Sequence, residues 1–427
     1  MTVTSTDYRR AFATQPAPRT AHRRREFRLP DPVAFYLQAS IVVSFLAGSS
    51  APTPLYATYQ REWGFSPITT TVVFGIYALA VLAALLVFGS LSDHVGRRPV
   101  LFAGIALQMI TMVVLASADG VPALLFARVV QGLATGAALG ALGAGMLDLD
   151  RARGTVANAV APMTGTAIGG IASGLLVQYL PAPTHLVYLA LLAVLALQGV
   201  GVLLIRETSA TAPGALESLR PRLGVPAAAR RPLLVAVPVA VAVWALAGFY
   251  GSVGPAVVAR VTGSTSAVLG GAALFVLAAG GALTVLLLPA TAPHRVMIFG
   301  SSALIAGVGT TLAGIQLSSA TVFFAGAAVA GAGFGAGFQG AIRTVIPLAA
   351  THERAGLLSA VYVVSYLAMG LPAVIGGFLV VDGGGLLPTA REYGAAVMAL
   401  AALALAGTLL TRGERAVAQP VADGNRG

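Results

Sequence analysis

Residues 89–101 read GSLSDHVGRRPVL. One acid, Asp93, and two bases, Arg97 and Arg98, share this stretch with His94, between Gly89 and Gly96. The chain is only 10% charged, yet this cluster sits between two long apolar runs. Charges in that position can do two things. They can hold a turn in water and fix which way the flanking runs lie, or they can place a carboxylate and a guanidinium against a partner that moves. A second isolated charge, Arg128, lies in RVVQGLATGAALG together with Gln131, Gly132 and Gly136. It falls about two turns into an apolar run, at roughly 1.5 Å per residue. A charge at such a depth is expensive and is generally partnered and functional. The alternatives are snorkelling to the headgroups and pairing with Asp119 at the start of the run.

Little else in the chain could make or break bonds. The five histidines, His22, His94, His185, His294 and His352, are scattered and lack metal-ligand spacing. No serine–histidine–aspartate set is legible. There is no cysteine, hence no thiolate nucleophile, thiolate metal site or disulfide. These absences argue against an enzyme, a metal site and a bound cofactor.

The elements that must position these residues are apolar helices. Of the 427 residues, 57% are hydrophobic and 51 are glycine, too little polar surface to cover a soluble globule. The apolar runs recur at about 20 residues, the length that crosses a hydrocarbon core of about 30 Å as a helix. The runs predict spans at 33–57, 67–90, 99–118, 121–147, 155–180 and 185–205, then at 232–258, 265–288, 295–315, 320–347, 355–380 and 393–411. Residues 1–32 form an expected disordered tail, 206–231 a central loop and 412–427 a second tail. The halves, 33–205 and 232–411, look like copies of one six-helix unit: aligned on Gly154 and Gly356, Gly174 falls on Gly376. The fold class expected is an all-α membrane protein with twelve transmembrane helices in two pseudo-symmetric bundles.

Twelve spans put both termini on one side. Arg9, Arg10, Arg19, Arg23, Arg24, Arg25 and Arg28 lie in the first tail, and Arg206, Arg220, Arg222, Arg230 and Arg231 in the central loop. Arg97, Arg98, Arg151 and Arg153 join them, while the opposite face has only Arg61, Arg260 and Arg391. This asymmetry predicts cytoplasmic tails and loop. It also accounts for the net charge of +11 without nucleic acid as a partner.

The stretch 89–101 resembles the signature loop of the major facilitator superfamily: glycine, three residues, aspartate, two residues, glycine and two basic residues. Gly89, Asp93, Gly96, Arg97 and Arg98 match, and His94 departs from the family's usual arginine. The stretch around Arg128, Gln131, Gly132 and Gly136 resembles the family's arginine–glutamine–glycine motif. With the twelve spans and the six-plus-six repeat, the resemblance covers almost the whole chain. It implies a plasma-membrane transporter that works by alternating access, with a small organic substrate, a surrounding bilayer and protons as partners, and a monomeric state. It also implies that Arg128 takes part in proton coupling and that Asp93 faces the start of span 11 when the cytoplasmic gate closes.

Direction is less marked. APMTGTAIGG in span 5 has Gly165, Gly169 and Gly170 at the spacing found in the drug/proton antiporter branch, which implies efflux. Ala161 replaces the leading glycine and Thr166 the proline, so generic small-residue packing stays open, as does uptake of a sugar or organic acid. A non-transporting scaffold or sensor would not need the loop. The interiors of spans 1, 2, 3, 5 and 7 to 12 carry no carboxylate, so a strongly cationic substrate is disfavoured. Proton coupling would run through Arg128 with Gln131, through Asp93 or through the Asp148–Asp150 end of span 4, or be absent. Candidate substrate contacts are aromatic and amide groups: Trp244 and Tyr250 on span 7, Phe334, Phe338 and Gln339 on span 10, and Tyr362 and Tyr366 on span 11. Lipid-facing or helix-packing roles for the aromatic pairs fit the same spacing.

Overall fold

A computed structural model describes residues 28–417, with side chains to Thr411. Most of the first tail, with Arg9 to Arg25, lies outside the described residues, as do 418–427. All twelve helices expected to cross a membrane are present: Asp31–Trp63, Pro67–Phe88, Arg97–Ala116, Val121–Leu149, Arg151–Tyr179 and Pro183–Leu204, then Ala227–Ser252, Ala267–Leu287, Pro293–Gln316, Ala320–Leu348, Arg354–Asp382 and Leu386–Thr411. They are spans 1 to 12 below. Proline near the first turn opens spans 2, 4, 6 and 9, where its missing N–H costs nothing.

Several boundaries differ from the hydropathy reading. Span 1 is broken: its helix stops at Ser50, a 3-10 turn covers Thr53–Leu55, and a short helix Tyr56–Trp63 completes it. The break falls at Pro52 and Pro54, which cannot continue a helical hydrogen-bond ladder. Span 7 ends at Ser252, and Gly254–Thr262 forms a separate helix after a turn at Val253. The expected loop 206–231 is shorter than the drop in hydropathy suggested. Span 7 begins at Ala227 after Pro226, and the loop contains a four-residue helix at Ala215–Ser218. Span 12 begins at Leu386 and its helix runs on to Val417, into the expected tail 412–427.

Each half has its own core. Phe45, Leu101, Ile105, Met112 and Leu142 are among the buried residues of the first. Val243, Leu246, Leu277, Leu304 and Phe323 are among those of the second. The outer surface is apolar as well: Leu197, Leu234, Leu287 and Leu410 are each at least 69% exposed, as lipid-facing residues are.

Glycines set the helix spacing. A Cβ on Gly132 would stand 2.5 Å from Cβ of Ala80 and 2.8 Å from the Tyr77 carbonyl oxygen, so spans 2 and 4 touch backbone to backbone there. Gly136 repeats this against Val81 and Ala84. Gly165 and Gly169 pack span 5 on Val43 and Ala47 of span 1. Gly170 and Gly174 face the other half, against Gly271 and Ala267 of span 8. In the copied unit the matching contact is made by Gly377 on Thr71, while Gly376 faces Tyr393. These two contacts lie one residue out of the register that the alignment on Gly154 and Gly356 gives. Gly132→Val should lower the melting temperature of the purified protein by several degrees, because overpacking costs about 1–3 kcal/mol. An unchanged melting temperature would show that spans 2 and 4 have room to part.

The halves meet unevenly. The face that carries residue 28 and the central loop is called the tail face here, and the opposite side the far face. At the far face Ser266 donates to Gln178 at 2.5 Å, and Thr53 donates to the Gly251 carbonyl at 3.1 Å. Gly174 packs on Ala267, and Gly377 packs on Thr71. Nearer the middle, Phe74, Tyr77, Ala78, Val81 and Leu82 of span 2 form a cluster with Tyr366, Met369 and Ala373 of span 11. Towards the tail face two hydrogen bonds tie the central loop to the halves: Ser90 donates to Ser218, and the Gly224 N–H reaches Gly356.

Candidate functional site

Three groups of residues stand out, and the sequence had linked them differently. The first is the charged turn. Ser92–Val95 makes a single helical turn, and Gly96 then takes φ +97 before span 3 begins at Arg97. A residue with a Cβ would be strained there and would come 2.7 Å from Glu207 Oε2. Arg97 is the hub. Its guanidinium pairs with Asp93 and donates to Ser92 Oγ at 2.7 Å and to Asp148 at 3.3 Å. Arg97 is 11% exposed in its side chain and Asp93 53%. Arg98 donates to the Leu203 carbonyl at 2.6 Å, at the end of span 6, where a cation meets the negative end of the helix. Gly89 has ordinary helical backbone, and its carbonyl oxygen would lie 2.8 Å from a Cβ on Gly140. The turn is thus bonded to spans 4 and 6 of its own half.

Glu207 completes this network. Its carboxylate accepts from the backbone N–H groups of Arg97, at 2.7 Å, and Arg98, at 3.0 Å. These are free donors at the start of span 3, where a carboxylate is favoured. Sequence reasoning missed Glu207 because its partners are main-chain atoms 110 residues away. The visible signal was an acid at the very end of an apolar run, opposite an expected helix start.

The second group surrounds Arg128. It is 1% exposed, so it does not snorkel, and Asp119 is exposed on the surface rather than paired with it. Its Nη1 donates to the Ser49 carbonyl at 2.9 Å and to Gln131 Oε1 at 2.6 Å. Gln131 Nε2 donates to the Gly48 carbonyl at 3.0 Å. The Tyr77 ring lies under the guanidinium, 4.3 Å from ring centre to Cζ, and its hydroxyl donates to Ser49 Oγ at 2.7 Å. The break in span 1 is what lets Gly48 and Ser49 offer these carbonyls beside Pro52. Asp148 is 20 residues further along span 4, about 30 Å at helical rise, so it belongs to the charged turn and not to Arg128.

The third group is aromatic and lies where the halves meet. Trp244 is its centre: Phe338 and Tyr366 lie 5.4 Å away between ring centres, and Phe334 lies 6.4 Å away. Tyr362 packs beside it, and Tyr77 joins from the first half. Met163 of span 5 approaches Phe334 across Gly281. The Trp244 indole N–H is buried without a partner, a polar group that an occupant could satisfy; the side-chain oxygen of Gln339, next to Phe338 on span 10, is also buried without one. Tyr250 is not in this group; it packs inside the second half against Phe249 and Phe323. Among the described residues no three histidines or acids could hold a metal ion.

The family described as Major Facilitator Superfamily matches residues 39–316. Part of the chain is 32% identical to an uncharacterized transporter of this type, YybF, from Bacillus subtilis, over 134 residues, or 30% of this chain and 32% of that one. The chain is also 30% identical to Multidrug resistance protein D of Escherichia coli over 99 residues, 22% of this chain and 25% of that one. The matches thus span a third or less of these relatives. In three dimensions the chain is similar to a crystal structure of a mutant nucleoside transporter, NupG. The TM-score is 0.64 at 11% identity, with 90% of this chain and 99% of that one covered, which speaks for the fold alone. A family match over most of the chain and twelve spans in the matching fold support one conclusion: this chain belongs to the Major Facilitator Superfamily and is a multi-pass membrane transporter, not an enzyme.

Proposed function

We propose that the protein exports a small organic molecule across the plasma membrane in exchange for protons. The observation that carries this reading is the buried pair Arg128–Gln131, tied to the broken span 1 and, through Tyr77, to the aromatic group between the halves. A charge held there can respond to what the aromatic group binds. The small-residue contacts of span 5 and the partial likeness to a multidrug resistance protein favour export. The tail face is taken as cytoplasmic, since the arginines concentrate there. With contacts between helices of the two halves concentrated at the far face, the conformation is inward-open. Trp244, Phe334, Phe338, Gln339, Tyr362 and Tyr366 line the substrate region; Tyr250 serves packing. The working unit is a monomer.

Tags within 1–31 and 206–226 are expected to be reached by protease or label only after the cytoplasmic side is opened; access from outside intact cells would overturn the orientation. Thermal unfolding of the purified protein against a compound panel should find ligands that raise its melting temperature. In Trp244→Ala that rise should shrink by half or more, because aromatic contacts are worth about 0.5–1.5 kcal/mol beyond area. A ligand rise unaffected by Trp244→Ala would place the binding region elsewhere.

A further inference from the structure

The hydrogen bonds recorded between helices of the two halves join helix ends at the far face. Thr53 lies in the break of span 1 and is 2% exposed. Its hydroxyl donates to the Gly251 carbonyl at 3.1 Å. Gly251 stands in the last turn of span 7, where carbonyls lack a helical partner. The residue four further on is Pro255, which has no N–H to offer. The second half thus leaves this acceptor short, and the first half supplies the donor. Ser49, four residues before Thr53, behaves differently and bonds back to Phe45 of its own helix. Ser173 of span 5 steadies the break by donating to the Ala51 carbonyl at 2.6 Å. The fit around the bond is close: a Cβ on Gly251 would stand 2.5 Å from the Phe74 ring of span 2.

The second join is at the start of span 8. Gln178 Oε1 accepts from Ser266 Oγ at 2.5 Å and from the Val268 N–H at 3.3 Å. That N–H is one of the four at a helix start without an acceptor in its own helix. Gly174, one turn before Gln178, lets span 5 lie against the Ala267 backbone. The first half therefore completes two helix ends of the second, the last turn of span 7 and the first turn of span 8. We propose that Thr53 and Gln178 are positioning residues that latch the far face shut, with Thr53 the stronger because its bond is buried and Gln178 is exposed. Opening the far face breaks both bonds and passes the freed groups to water. Closing it without the Thr53 hydroxyl leaves the Gly251 carbonyl buried and unpaired, so the loss falls on the closed face alone. The latch rests on the reading of the conformation as inward-open; it needs neither protons nor a particular substrate.

The test is the distance between spin labels on Arg61→Cys and Arg260→Cys in the purified full-length protein. Both residues are exposed on the far-face helices, and the chain has no cysteine of its own. A short distance reads the closed far face and a long one the open far face. Thr53→Val keeps the shape and removes the donor; it should raise the ratio of long to short about 10-fold, equivalent to about 1.4 kcal/mol. Thr53→Ser keeps the hydroxyl and should stay within about 2-fold of the parent. Gln178→Leu should raise the ratio about 3-fold, and Gln178→Glu, a carboxylate at the start of span 8, should lower it. The exposed Gln178 variants carry the test if Thr53→Val does not fold. A ratio unchanged by Thr53→Val and Gln178→Leu, or moved equally by Thr53→Val and Thr53→Ser, overturns the latch. A shifted ratio in a protein without proton-driven transport upholds the latch and sinks the export reading. Proton-driven transport with the ratio unchanged in the variants does the reverse.

Discussion

Arg128→Ala is expected to insert and fold but to lose gradient-driven accumulation entirely, a fall of at least about 100-fold in the steady-state gradient. Insertion survives because a central arginine costs roughly 2.5–3.5 kcal/mol on insertion scales, a cost the alanine removes. Accumulation fails because the guanidinium joins three elements: the Ser49 carbonyl at the break in span 1, Gln131 on span 4 and the Tyr77 ring of span 2. An arginine keeps its proton, so its proposed part in coupling acts through its charge and these bonds. Ligand-induced stabilisation should survive in the variant, since the aromatic group around Trp244 is untouched. Normal pH-driven accumulation by Arg128→Ala would reduce the residue to a structural tie between spans 1 and 4.

Asp93→Asn is expected to shift the conformational balance towards the inward-open state by about 5- to 10-fold, with transport strongly reduced. In the conformation described, Asp93 is half-exposed and pairs with Arg97 four residues on, an arrangement worth only about 0.3–0.5 kcal/mol. Asparagine loses little there, and Arg97 keeps Ser92 and Asp148. In the proposed closed state the acid would meet the start of span 11, near Ala355 to Leu358. A carboxylate at a helix N-terminus is worth about 0.3–1 kcal/mol, and up to ~2 when partly buried. The loss therefore falls mainly on the closed state, and 1.4 kcal/mol is tenfold. The chain has no cysteine, so single cysteine reporters flanking the gate read the shift without background. Equal labelling rates and equal transport in Asp93→Asn would mean that the turn serves orientation only.

Hydropathy runs made the twelve spans and the charged turn legible, because a bilayer demands about 20 apolar residues and a positive inner face. The break in span 1 has an equally local cause, the prolines Pro52 and Pro54, which cannot continue the helical ladder. What the sequence hid depends on tertiary distance. Arg128 and Asp148 share span 4, yet helical rise places them in different sites. Glu207 works through main-chain N–H groups, which no residue pattern advertises. Tyr250 and Trp244 are six apart and fall on different sides of span 7, one in the core of its half and one at the junction. Which face the halves close on is a property of their docking, and neither bundle's own sequence pattern encodes it.

Uptake into proteoliposomes under an imposed pH gradient tests proton-coupled export most directly. With the protein inserted in known orientation, a compound that stabilises it should move from the tail-face side to the far-face side against its own gradient. The movement should stop when an ionophore collapses the pH difference and should be absent with Arg128→Ala. Movement that runs only down the compound's gradient, at the same rate with and without the pH difference, would contradict it.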